Sequence, residues 1–146
     1  MQPADRQSTI AILQGLYYLP TGIWPLVSLR TFMAVTGPKV DGWLVKTVGA
    51  LITVVGGVLM LAGLRGRVTP ELRLLAVGSA AGLAAVDVVD VARRRISPIY
   101  LLDALGEGIL IGAWIAAMRT ERRVRGHRVG RQRARIRRRK QRAVRA

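Results

Sequence analysis

Four apolar segments, each 19 to 21 residues long, restrict the folds open to this chain. They cover residues 9–29, 44–64, 74–92 and 98–118. Because a helix rises about 1.5 Å per residue, each segment can cross the roughly 30 Å hydrocarbon layer of a bilayer. Four such helices in 146 residues would leave almost nothing to cover them in water. The sequence therefore predicts an all-α fold, a four-transmembrane-helix bundle.

Charge divides the chain into two parts. Of the 24 Lys and Arg residues, 14 follow Met118, and Glu121 is the single acid in that stretch. We therefore expect a transmembrane domain over residues 1–118 and an Arg-rich cytoplasmic tail over residues 119–146. The tail has too few apolar residues to form a core alone, but arginine and alanine favour helices, so we expect it to be partly disordered or helical.

The same charges predict the orientation, because cytoplasmic loops of membrane proteins carry an excess of Lys and Arg. Four spans bring both termini to one side, where the count is 18 basic residues against 6 on the other. Both termini should therefore be cytoplasmic. The triplet Arg93–Arg95 would lie outside, and we expect Asp90 to hold Arg93 and Arg94, which follow at helical contact spacing.

Acidic residues interrupt the third and fourth segments. Glu107 lies near the middle of the fourth, with Asp103 one turn before it. A charge at the centre of a membrane helix costs about 2.5 to 3.5 kcal/mol, so such residues are paired, neutralised or used. We expect an intramembrane polar site in the external half of the bundle, formed by Asp87, Asp90, Asp103, Glu107, Lys46 and Arg30.

Three interpretations of this site remain open at the level of sequence. In the favoured one, the carboxylates pair with Lys46, Arg30 and the arginine triplet and only set the helix register. In the second, the same charges surround a ligand or a lipid headgroup. In the third, Glu107 and Asp103 form a proton or cation pathway.

Several kinds of chemistry are disfavoured by composition. The chain has no cysteine, and its single histidine, His127, lies in the basic tail. Thiolate sites, imidazole metal centres and Ser-His-Asp catalysis therefore lack their usual residues. We predict no catalytic residue, no metal site and no cofactor, and a membrane-embedded enzyme ranks third among the functions considered.

Glycine and proline suggest how the helices pack. Small residues four positions apart allow close helix approach in membranes. Such pairs are Gly78 with Gly82 and Gly108 with Gly112. Pro20 and Pro25 predict a bent or locally unwound first helix, and residues 30–43 read as an interfacial connection.

Part of the sequence resembles known proteins. The string Gly15 to Pro25 (GLYYLPTGIWP), followed by Gly37 to Val45 (GPKVDGWLV), resembles uncharacterised small bacterial multi-pass membrane proteins. The number and length of the spans are similar to those of DoxX-like four-helix membrane proteins. These resemblances imply a bacterial plasma (inner) membrane protein and supply no catalytic residue.

The leading functional prediction is a non-enzymatic accessory protein, or one that binds a lipid, a quinone-like molecule or a partner membrane protein. The alternative is a proton- or cation-coupled transporter that uses the intramembrane carboxylates. A homo-oligomer is plausible because four helices make a thin bundle.

Basic residues beside a membrane attract anionic headgroups, whereas the tail lacks the aromatic residues that stack on nucleic-acid bases. We therefore expect membrane lipids, rather than nucleic acid, to bind Arg122, Arg123, Arg125, Arg128 and Arg131.

Overall fold

The computed structural model describes residues 3–121, with side chains from Arg6 to Glu121, and this part of the chain is helical without any strand. The predicted all-α fold is therefore confirmed. The helices are α1 (Pro3–Val27), α2 (Leu29–Thr36), α3 (Gly42–Leu64), α4 (Pro70–Ala92) and α5 (Tyr100–Glu121).

Four of these helices, α1, α3, α4 and α5, are long and apolar enough to cross a membrane. Large apolar side chains such as Val54, Leu74 and Ile109 face outward, whereas Gln14 and Glu107 are buried. This distribution suits helices surrounded by lipid, because lipid tails solvate leucine and valine as well as a protein core does. The structure therefore has the architecture of a small multi-pass membrane protein.

The connection between the first two spans differs from the sequence prediction. Helix α1 continues through Pro20 and Pro25, so the predicted unwinding is not seen, and the chain breaks at Ser28 instead. The Ser28 hydroxyl accepts a 3.4 Å hydrogen bond from the Thr31 amide and starts α2, which occupies half of the predicted connection. Gly37, with φ of 88°, then ends α2.

Closest packing occurs between α1 and α3, through glycines seven residues apart. A Cβ atom at Gly15 would lie 2.7 Å from the Gly56 carbonyl oxygen, too close for any side chain. Two helical turns further along α1, a Cβ atom at Gly22 would lie 2.6 Å from the Gly49 carbonyl oxygen. A seven-residue spacing keeps these glycines on one face of each helix, so the two antiparallel backbones touch along their length.

The glycine pairs singled out by four-residue spacing do not pack inside the bundle. A Cβ atom at Gly78, Gly82, Gly108 or Gly112 would meet no described atom within 4 Å. The prediction was therefore wrong for packing within this chain, because spacing shows that small residues share a face but not that the face points inward.

The four spanning helices meet at one fully buried apolar layer. Each contributes one side chain, and these are Ala11, Leu59, Ala76 and Trp114. Partly buried residues such as Ile10, Val55 and Met118 pack against them. This apolar layer separates two polar regions of the bundle interior.

Candidate functional site

Two adjacent tyrosines of α1 bind two acids of α5. The Tyr18 hydroxyl donates a 3.0 Å hydrogen bond to Glu107 Oε2. The Tyr17 hydroxyl donates to Asp103 Oδ1. Asp103 and Glu107 lie one turn apart on one face of α5, as their four-residue spacing predicted. The neighbouring tyrosines can therefore reach both acids from a single turn of α1.

A third acid comes from α4. Asp87 is only 7% exposed and lies beside Asp103, within electrostatic range of Glu107. Its Oδ2 atom is buried and has no hydrogen-bond partner among the described residues. We refer to Asp87, Asp103 and Glu107 as the carboxyl cluster.

The carboxyl cluster has no cationic partner among the residues that the structure describes. Arg30 and Lys46, which the sequence predicts in the site, are exposed and form no ion pair there. The ion pairs of this part of the chain are Arg73 with Glu121 at 3.0 Å and Arg95 with Asp90 at 3.8 Å. The cationic pairing that the sequence favoured is thus absent for the cluster, whose side-chain donors are neutral tyrosine hydroxyls.

Asp90 pairs with an arginine of the triplet Arg93–Arg95, as the favoured interpretation predicted, but not with either of the two that helical spacing indicated. Its partner is Arg95 rather than Arg93 or Arg94. The reason is that α4 ends at Ala92, and the chain turns at Arg94, which has φ of 55°. This turn brings the Arg95 amide to the Asp90 carbonyl oxygen at 2.8 Å, so the helical spacing rule no longer applies.

From the carboxyl cluster, polar contacts continue toward the apolar layer. The Tyr18 hydroxyl oxygen lies 3.4 Å from Ser79 Oγ. Gln14 donates through Nε2 to the Ala76 carbonyl oxygen at 2.9 Å and accepts at Oε1 from Trp114 Nε1 at 2.8 Å. A buried amide costs free energy unless its donors and acceptors are paired, so these contacts hold Gln14 in place.

Beyond the apolar layer lies a second polar group. Glu121 Oε2 accepts hydrogen bonds from Gln7 Nε2 at 2.9 Å and from Arg73 Nη1 at 3.0 Å. We refer to Gln7, Arg73 and Glu121 as the terminal polar group, because it lies at the end of the bundle where α1 begins. The bundle interior is therefore polar at both ends and apolar between them.

Sequence reasoning did not include several of these residues in the site. They are Gln7, Gln14, Tyr17, Tyr18, Ser79 and Trp114. The sequence did contain a signal for two of them, because Gln7 and Gln14 are seven residues apart and so lie on one face of α1. Amides on one face of an otherwise apolar helix indicate a polar interior.

Carboxyl and phenol groups can exchange protons or bind hard cations through oxygen. In the described residues no group of three His, Cys, Asp or Glu side chains is placed to hold a metal ion. Ionisable residues inside membrane helices commonly belong to ion pathways and proton relays. Proton exchange is one chemistry that such groups can carry out.

The bases predicted to bind lipid headgroups, Arg122, Arg123, Arg125, Arg128 and Arg131, lie outside the described residues, so that site stays a prediction. Known proteins add no assignment for the carboxyl cluster. No protein-family model matches the chain, and neither a curated protein nor a solved structure matches it significantly.

Proposed function

We propose that the chain is a small integral protein of the bacterial plasma membrane that takes up and releases protons at the carboxyl cluster in proton-coupled transport. The observation that carries this proposal is the placement of three carboxyl groups in one interior without a cationic neighbour among the described residues. A purely structural set of carboxylates would favour basic partners, since a buried charge is costly unless paired.

The contact between Asp87 and Asp103 supports the same proposal. Two ionised carboxylates that lie close together repel each other, so a proton held by one of them stabilises the pair. Tyr17 and Tyr18 add hydroxyls, which can both donate and accept, next to these acids. A proton can therefore be held or passed between neighbouring oxygen atoms of the cluster.

Infrared difference spectroscopy of the purified protein in lipid nanodiscs tests this function. The carboxylic acid C=O band should change as pH is titrated, and Glu107→Gln and Asp103→Asn should each remove part of that change. Asp41→Asn is the matched control, because Asp41 is an exposed carboxylate outside the spans. A wild-type band that does not titrate, or equal spectra for all three variants, would refute proton exchange at the cluster.

A lipid-binding accessory role is the second candidate, and one surface feature favours it. A shallow groove of about 240 Å³ runs between α1 and α5, lined by Arg6, Thr9, Ile10, Ala113, Ala116 and Ala117. Its alanine and isoleucine side chains suit an acyl chain. The exposed guanidinium of Arg6 at the start of the groove suits an anionic headgroup.

Native mass spectrometry of protein released from phosphatidylglycerol-containing nanodiscs can test the groove. Arg6→Gln should retain less phosphatidylglycerol than the wild type. Arg65→Gln is the control, because Arg65 is exposed at the same end of the bundle but does not line the groove. Equal lipid retention in both variants would argue against a lipid site at Arg6.

A further inference from the structure

We infer that, in the conformation of this structure, the carboxyl cluster exchanges protons with only one end of the bundle, the end at Asp90, and that Gln14 and the apolar layer that contains Trp114 close the route to the terminal polar group. This inference rests on the proposed proton exchange and adds its direction. It comes from the order of polar and apolar residues along the bundle.

Toward Asp90 the cluster adjoins partly exposed polar side chains, and Asp90 lies within electrostatic range of Asp87. Asp103 and Tyr17 are partly exposed, and Asp90 has a side-chain exposure of 27%. Water at this end can therefore approach the cluster. The titratable and charged groups that face the cluster region come from α1, α4, α5 and the turn after α4, and they are Tyr17, Tyr18, Asp87, Asp90, Asp103, Glu107 and Arg95.

In the other direction, the polar contacts stop at Trp114. The indole N–H donates to Gln14, but an indole has no acceptor atom, so a proton cannot be relayed through it. Gln14 is also held through Nε2 by the Ala76 carbonyl oxygen. Both residues are fully buried, and the polar network ends at Gln14, where it meets Trp114 of the apolar layer.

The apolar layer separates Gln14 from Gln7 on the same face of α1. Seven residues of helix correspond to about 10 Å along the axis. Ala11 and Ala117, both buried, lie in this interval beside Trp114. A water molecule there would lack the two to four polar partners that hold buried water, and apolar constrictions block ions by excluding water.

Proton flux into liposomes tests the closed end directly. Full-length protein is reconstituted with a pH-sensitive dye inside, and a potassium diffusion potential drives proton entry. Trp114→Ala should raise the flux about tenfold over wild type by opening the layer, and adding Glu107→Gln should return it to the wild-type rate. Trp43→Ala is the control, because Trp43 is an exposed tryptophan outside the bundle interior.

A second variant keeps the test decisive if Trp114→Ala does not fold. Ala11→Ser with Ala117→Ser adds two hydroxyls to the interval between Gln14 and Gln7 at little cost in volume, and the same increase in flux is expected. Wild-type flux in every variant that folds, or a raised flux that persists with Glu107→Gln, overturns the inference. Infrared titration of the same samples separates the two proposals. If the carboxylic acid band titrates but no variant conducts protons faster than wild type, the closure by the apolar layer is refuted and the proposed proton exchange is not.

Discussion

The Tyr18 hydroxyl donates a 3.0 Å hydrogen bond to Glu107 Oε2 between α1 and α5, and each of the two residues is only 1% exposed. A carboxyl group near the middle of a membrane helix is thus held by a neutral donor rather than by a cation. The bond also sets the register of α1 against α5, because Tyr18 can reach only one turn of the opposite helix.

Removal of the Tyr18 hydroxyl should weaken the bundle. Tyr18→Phe keeps the ring but leaves Glu107 without this donor. We expect a loss in the free energy of unfolding of about 0.6 kcal/mol, the average measured for hydrogen bonds between membrane helices, and of at most about 1.7 kcal/mol. Unfolding in mixed detergent micelles, followed by circular dichroism, measures this loss.

Tyr100→Phe makes the same chemical change at a site without such a bond. The Tyr100 ring lies 4.8 Å below Lys39 Nζ, and its hydroxyl has no hydrogen-bond partner among the described residues. This control should alter stability by less than about 0.5 kcal/mol, as surface substitutions usually do. Equal effects of the two substitutions would contradict a stabilising role for the Tyr18 bond.

Two adjacent glycines of α3 should respond oppositely to alanine. A Cβ atom at Gly56 would lie 2.8 Å from Tyr18 Cβ, whereas one at Gly57 would meet nothing within 4 Å. Gly56→Ala should cost about 1 to 3 kcal/mol through overpacking. Gly57→Ala should be neutral or stabilise by up to about 1 kcal/mol, because alanine favours helix. The same unfolding assay compares them, and similar values for both would show that α1 and α3 do not pack through Gly56.

The basic tail should bind anionic membranes. Protein in neutral-lipid nanodiscs should cosediment with phosphatidylglycerol vesicles, and deletion of residues 122–146 should abolish this association. Each base close to an anionic surface contributes about 1 kcal/mol, and salt screens the attraction. Binding of the full-length chain should therefore fall as ionic strength rises. Unchanged binding after the deletion would remove the lipid role of the tail.

The predicted orientation can be tested with single cysteines, because the chain has none of its own. With cytoplasmic termini, Ala146→Cys should resist a membrane-impermeant thiol reagent in intact cells, whereas Val40→Cys should react. Val40 is fully exposed in the connection between α2 and α3, at the opposite end of the bundle from the start of α1. The reverse labelling pattern would show that the orientation is inverted.

The acids of the carboxyl cluster were all among the residues that the sequence placed in an intramembrane polar site. Helical spacing placed Asp103 and Glu107 on one face of α5, and Asp87 was expected near them. Their partners were not predictable from spacing, because Tyr17 and Tyr18 are distant in sequence and reach the acids only after α1 packs against α5. The sequence also offered Arg30 and Lys46 as partners, since charge alone does not show where a long side chain points.

By itself, the sequence determined the number and length of the spanning helices, because hydrophobic length relative to a bilayer is a local property of each segment. Only the tertiary structure decided which small residues pack and which acids are paired. Gly15 and Gly56 touch, while Gly78 and Gly82 face outward, because helix contact depends on the rotation of one helix about another. The same rotation brings Tyr18 to Glu107, and such long-range contacts are not encoded in the spacing of any single segment.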